Sequence, residues 1–271
     1  MLSGAQSVCS MQLHRLGDGR RGLFLCASLV IGLANFLFSG MTCGNIGRDH
    51  FMSTPTATAV RLLASVDPQG FPPASAWEIT PPIRFDADWQ GKNSDPLRET
   101  EARLLWTPDT LYIRFQARYR SITVFPDSDP NGHRDLLWDR DVVEAFLQPD
   151  PSVRRCYKEF EVSPNGFWID LDITRGEKRE LRSGLIRRVL IDEKKKYWIA
   201  ELSIPMKSLV ARFDPRATWR ANFYRVEGEA KPRFYSAWSP TGTPQPNFHV
   251  PEAFGKLTFV EFPLAHSRKD S

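Results

Sequence analysis

The chain has 271 residues, 41% of them hydrophobic and 25% charged, which is ordinary globular material, long enough for one large domain with extensions. A net charge of +4 is too mild for a nucleic-acid surface, and the basic clusters Arg187-Arg188 and Lys194-Lys195-Lys196 read as solvated loop charge flanking a hairpin tip. Of the four cysteines, Cys9, Cys26 and Cys43 fall in or beside an N-terminal segment, so Cys156 stands alone in the folded part and no internal disulfide is available there. The absence of a CxxC, an HExxH or a clustered His/Cys set argues against a structural zinc.

Residues 1–44 read as a signal peptide or membrane anchor. Arg15, Arg20 and Arg21 precede an uncharged apolar run from Gly22 to Gly40, and small residues around Thr42 and Gly44 suit a cleavage site. The run is also about as long as a bilayer-spanning helix, so a retained anchor is the competing reading. Both imply export, to the periplasm, the exterior or the membrane surface. A polar linker follows over 45–57, then a domain over 58–263 and a polar tail over 264–271.

Within that domain the β-rich runs are Thr58 to Leu63, Ala102 to Trp106, Leu111 to Ala117, Val142 to Leu147, Tyr157 to Val162, Phe167 to Leu171, Leu185 to Ile191, Tyr197 to Ile204, Trp219 to Tyr224, Phe234 to Trp238 and Lys256 to Val260. The clearest alternate strictly: Leu111, Ile113, Phe115 and Ala117 oppose Tyr112, Arg114, Gln116 and Arg118. Alternation of this kind predicts sheets with one buried face each. Many short strands at hairpin spacing, with no helical period beyond Pro205 to Val210, predict an all-β antiparallel sandwich of jelly-roll or immunoglobulin-like layers.

The most informative stretch is Leu137-Trp138-Asp139-Arg140-Asp141-Val142-Val143-Glu144-Ala145-Phe146-Leu147. Period-two reading sends Val142, Glu144 and Phe146 to one side, with Trp138 six residues before Glu144 at the strand's mouth. A flat ring and a carboxylate on one side suit a sugar, whose C–H face lies on an aromatic while its hydroxyls need charged or amide partners. The competing reading is a core tryptophan beside a wet strand-end acid.

Further along come Tyr157-Lys158-Glu159-Phe160-Glu161-Val162-Ser163-Pro164-Asn165-Gly166, Trp198 with Glu201 and Ile204-Pro205, Asn222-Phe223-Tyr224-Arg225, and His249-Val250-Pro251-Glu252-Ala253-Phe254-Gly255. The ordered set resembles the family 9 carbohydrate-binding modules and their relatives in the DOMON-like superfamily. The resemblance implies a β-sandwich, often calcium-stabilised, that holds the terminal sugar of a glycan between two aromatic rings ringed by polar side chains. On that pattern Trp138 matches one stacking ring and Glu144 the acid that follows it. Phe248 falls where the second ring is usually a tryptophan. Glu161 stands near a position where a basic residue is usual. Asn222 and Tyr224 match polar positions facing the cleft, and His249 belongs to the same closing segment. Arg225 has core parity, so it lies past the strand's end or is paired.

Other chemistries were weighed from the residues. Asp127-Ser128-Asp129-Pro130-Asn131-Gly132 imitates the first half of a calcium loop, making Asp127, Asp129 and Asn131 weak metal candidates, but the closing twelfth position is Trp138 rather than an acid. Asp141, Glu144, Glu159 and Glu161 could supply a glycosidase pair. Haem ligation would have to come from Met52, Met206, His50, His133 or His249. The expectation is non-catalytic carbohydrate binding by an exported β-sandwich in glycan capture or breakdown. Its ligand residues are Trp138, Glu144, Glu161, Asn222, Tyr224, Phe248 and His249. No catalytic residue is assigned, calcium is the one cofactor admitted, and the expected partner is an oligo- or polysaccharide met by a monomer that contacts membrane only through its N-terminus. The alternatives are a glycoside hydrolase or its accessory module, a haem-binding electron-transfer domain, and a ligand-free interaction domain.

Overall fold

The computed structural model describes residues 54–261 apart from 128, 130, 131 and 230–232. The N-terminal segment 1–44, His50, Met52 and Asn131 lie outside the described residues. Thirteen strands follow in order: β1 (Thr56–Arg61), β2 (Ile83–Phe85), β3 (Thr100–Thr107), β4 (Thr110–Arg118), β5 (Val142–Gln148), β6 (Cys156–Val162), β7 (Trp168–Thr174), β8 (Glu177–Glu180), β9 (Ile186–Asp192), β10 (Tyr197–Pro205), β11 (Trp219–Glu227), β12 (Phe234–Ala237) and β13 (Gly255–Val260). Two short helices, α1 (Ala74–Glu78) and α2 (Met206–Leu209), complete the described framework with three 3-10 turns. Among the described residues no helix is long and apolar enough to cross a membrane.

The strands form one curled sheet in the order β8-β7-β6-β5-β11-β13-β1-β3-β4-β10-β9, with β12 added on β11 and β2 on β3. The curl makes a sandwich. Pairing is antiparallel except at β1, which lies parallel to both β13 and β3 and joins the two halves. Neither parallel pairing is legible in the residue pattern, because alternation fixes which face a residue takes but not the direction of its neighbour. It also missed β2, which has three residues, and β8, whose four residues Glu177–Glu180 are all exposed and carry no hydrophobic period.

The interlayer core is built by the predicted alternation. Leu111, Ile113, Phe115 and Ala117 of β4 meet Trp198, Ala200, Leu202 and Ile204 of β10 and, from the other half, Val143, Ala145 and Leu147 of β5 and Trp219, Ala221 and Phe223 of β11. Met206 sits in this core at 2% exposure, packed rather than offered to a cofactor. The basic pair on β9 departs from expectation: Arg188 joins Asp67 at 2.7 Å and also pairs with Glu201, so it is a structural tie rather than solvated charge.

The opposite face of β5, β6, β7 and β11 is also buried. Val142, Phe146, Tyr157, Ile169, Leu171, Ile173, Tyr224 and Val226 form a second cluster beneath Phe248 and Phe254 of the segment before β13. That segment covers only part of the face. The uncovered part is the site.

Candidate functional site

A cleft of about 260 Å³ opens over β5 and β6. Its floor holds Glu144 and Phe146 of β5 with Glu159 and Glu161 of β6, and its walls are Trp138, Lys178 of β8, Arg233, Tyr235 of β12, Phe248 and His249. The floor follows from register. Glu144 lies directly across from Glu161, and Phe146 directly across from Glu159, so three acids and one ring share a small patch of a single face.

Trp138 is carried to the rim by a short 3-10 turn, Leu137–Asp139, entered through Leu136 in the left-handed region at φ 57°. Leu137 is fully buried and anchors the turn, which leaves Trp138 partly exposed at the cleft mouth. The ammonium of Lys178 rests 4.4 Å from the centre of its ring.

The acids are deeply desolvated: Glu144, Glu159 and Glu161 are 2%, 1% and 0% exposed. One carboxylate oxygen from each lies within 4.8 Å of the others. Burial holds Glu144 and Glu161 well above the usual carboxylate range, and their repulsion with neighbouring acids adds to it; Lys178 works against both. Burial also raises Glu159. As carboxylates, Glu159 and Glu161 have no donor for the oxygens between them, and with one of the two protonated they share a hydrogen bond; one oxygen of Glu144 has no partner.

Opposite them, the His249 Nδ1 and the Tyr157 hydroxyl are hydrogen-bonded at 2.7 Å. Burial, helped by the Lys178 charge, lowers the His249 pKa to about 4, so the ring is neutral at physiological pH. The imidazole leans on Phe146 at 5.3 Å between ring centres.

Phe248 reaches the cleft with one face already covered, since it stacks on Tyr224 at 4.1 Å and 13°. This corrects the expectation for Asn222 and Tyr224, which have the predicted parity but are 0% exposed and sit behind the cleft wall. The Tyr224 hydroxyl donates to the Phe248 carbonyl at 3.0 Å. Asn222 donates to Tyr224 and to the Ser239 carbonyl and accepts from the Phe223 and Ser239 amides, so all its capacity is used. These two residues hold Phe248 in place. They do not face the cleft.

Asp127 and Asp129 lie elsewhere, beside Gly132, Asn165 and Arg187, and Asp127 pairs with Arg134. Among the described residues it is Glu144, Glu159 and Glu161 that come close enough together to hold a metal ion. Of the wall residues, Lys178, Arg233 and Tyr235 had not been foreseen. Lys178 lies on a strand without periodicity, and the approach of β12 to β5 depends on pairing through β11.

Fold and cleft together define a β-sandwich binding module with an aromatic-walled, acid-floored site. The sequence matches the profile of carbohydrate-binding family 9 over residues 87–259, and the chain belongs to that family. It is 25% identical over 221 residues to an extracellular protein of Arthroderma benhamiae, covering 75% of this chain and 96% of that one. Among solved structures, a candidate carbohydrate-binding protein from Bacteroides uniformis superposes with a TM-score of 0.63 at 19% identity, over 76% of this chain and all of that one. A family 9 module from Caldicellulosiruptor kristjanssonii, solved with cellotriose, gives 0.55 at 13% identity over 76% and 94%. At such identities the superpositions establish the fold.

Proposed function

We propose that this cleft binds the terminal sugar of an oligo- or polysaccharide, with no catalysis of its own. The observation that carries the reading is the pairing of a partly exposed Trp138 at the mouth with the carboxylates of Glu144 and Glu161 on the floor of one cleft. The ring offers a flat apolar face to the sugar's C–H groups, while the carboxyls, the imidazole of His249 and the side chain of Asn247 order its hydroxyls. Phe248, braced by Tyr224, presents the second aromatic surface. The cellotriose bound to the related Caldicellulosiruptor module fits the same class of ligand.

A glycosidase is disfavoured by geometry. Such enzymes place their two carboxyls on either side of the scissile bond, about 5 to 9.5 Å apart. Here all three sit together on one strand-paired floor of a single face, rather than on opposite sides of a space for a scissile bond. The wider DOMON-like relation is part of the reading, but without its haem chemistry, because Met206 is packed in the core. Export completes the proposal, supported by the Arg-led apolar run from Gly22 to Gly40 and by the extracellular relative. The protein acts as a monomer that captures glycan outside the cell.

A glycan array on the full-length protein tests this. The expected result is binding to a defined set of saccharide termini that disappears in Trp138→Ala while the unfolding curve is preserved; a folded protein that retains no glycan would refute it.

A further inference from the structure

The geometry points to a calcium site made by Glu144, Glu159 and Glu161, with its open coordination positions turned into the cleft toward the sugar; the inference rests on the carbohydrate reading above. Three acids at 2% exposure or less crowd one floor; Glu159 and Glu161 are close enough to share a proton, and the Glu144 Oε1 has no hydrogen-bond partner. Their charged forms need a cation held close by. Lys178 and Arg233 favour those charged forms through space, but each is engaged elsewhere: Lys178 places its ammonium over the Trp138 ring, and Arg233 gives its Nε to the Gly228 carbonyl and an Nη to the Arg140 carbonyl. The His249 Nδ1 is hydrogen-bonded with the Tyr157 hydroxyl and stands 3.9 Å from the nearest Glu159 oxygen. Glu161, wholly buried, lines the cleft directly.

The donors choose the ion. An all-oxygen set of carboxylates suits a hard cation, and one oxygen from each acid lies within 4.8 Å of the others, inside the span of about 4.6 to 5.2 Å that two ligands of one calcium ion can reach. Calcium takes 6 to 8 oxygens in a flexible shell, whereas magnesium demands a near-ideal octahedron and keeps several waters, so an irregular cluster of three carboxylates suits calcium better. Three carboxylates leave roughly half of a shell of 6 to 8 oxygens unfilled. Adjacent sugar hydroxyls are ligands of the right hardness and spacing to enter it, on the side where Trp138 receives the ring. The acids on the floor thus acquire a role that a simple hydrogen-bonding site leaves open: they hold the ion, and the ion holds the sugar.

The test is calorimetric titration of calcium chloride into chelator-treated full-length protein, repeated with Glu161→Gln and Glu159→Gln. Binding of a glycan identified on the array is then measured in calcium and in excess chelator. Wild type should take up one calcium ion, with magnesium at least about tenfold weaker, and each Gln variant should lose calcium affinity by about tenfold or more while unfolding cooperatively. Chelator should weaken glycan binding by a similar factor. Absence of calcium uptake, or uptake that Glu161→Gln leaves unchanged, overturns the site. Glycan binding that is equal in calcium and in chelator overturns the coupling and leaves the carbohydrate reading standing, whereas no glycan binding in either condition removes that reading itself.

Discussion

Two groups of buried acids lie on either side of β5, one toward β11 and one toward β6, and have opposite fates. Asp141 and Glu227, at the shared end of β5 and β11, are 0% and 1% exposed, and between them sits the wholly buried guanidinium of Arg225. Asp141 accepts from the amides of Thr123 and Gly228, Glu227 accepts from the Arg120 amide, and Arg225 donates to Glu227 and to the carbonyls of Val142 and Val226. Apart from the Arg225 Nε, which has no partner, this network is closed by the chain itself. A few residues along, Glu144 of β5 and Glu159 and Glu161 of β6 are as deeply buried, yet no arginine or lysine hydrogen-bonds to them among the described residues and one Glu144 oxygen lacks any partner. The difference separates structure from site: a protein that can neutralise one set of buried acids with its own arginine and leaves the next set open has shaped the second for something from outside.

The comparison breaks most visibly at its closed end. Arg225→Met should cost about 3 to 5 kcal/mol in denaturant unfolding, because it strands Asp141 and Glu227 in an apolar interior. A loss below about 1 kcal/mol would show that the network is not held by that cation. At the open end the expected effect falls on binding. Trp138→Ala should lower glycan affinity by about 1 to 3 kcal/mol, roughly tenfold to a hundredfold, with little change in unfolding, since the ring is only partly buried. Trp198→Ala, in the interlayer core, should instead lose about 3 to 5 kcal/mol of stability.

A smaller effect of opposite sign sharpens the contrast. In metal-free protein near neutral pH, Glu161→Gln should raise stability, because it removes an acid whose charged form burial and its acidic neighbours disfavour. A marked destabilisation would mean that Glu161 already has its partner. The smallest effect concerns His249. Its pKa is depressed to about 4, so its neutral form contributes stability that is complete above the unfolded value near 6.5 and lost as pH falls toward about 4. The thermal midpoint of wild type should therefore drop relative to His249→Gln across that window, and parallel curves would contradict the assignment.

Much of this was legible in the sequence, and what was not has physical causes. Alternation in Leu111 to Ala117 and Tyr197 to Ile204 is enforced by a core that admits only apolar side chains, so the sandwich could be read directly. The same rule put Trp138 and Glu144 on one side. It could not tell an outward residue at the cleft from one under a covering loop, which is why Asn222 and Tyr224 were expected to face a ligand and instead brace Phe248. Parity likewise left Arg225 unresolved, because its partners Asp141 and Glu227 meet it only through strand pairing. Lys178 escaped because an exposed edge strand such as Glu177–Glu180 has no buried face to leave a pattern.

The central claim is that ligand meets Trp138 over the acidic floor, and tryptophan indole N–H resonances report it directly in a titration with an array-identified saccharide. The account predicts that the Trp138 signal, assigned by its loss in Trp138→Phe, shifts to saturation while those of the buried Trp198 and Trp219 stay in place; a stationary Trp138 in protein saturated with glycan would contradict it.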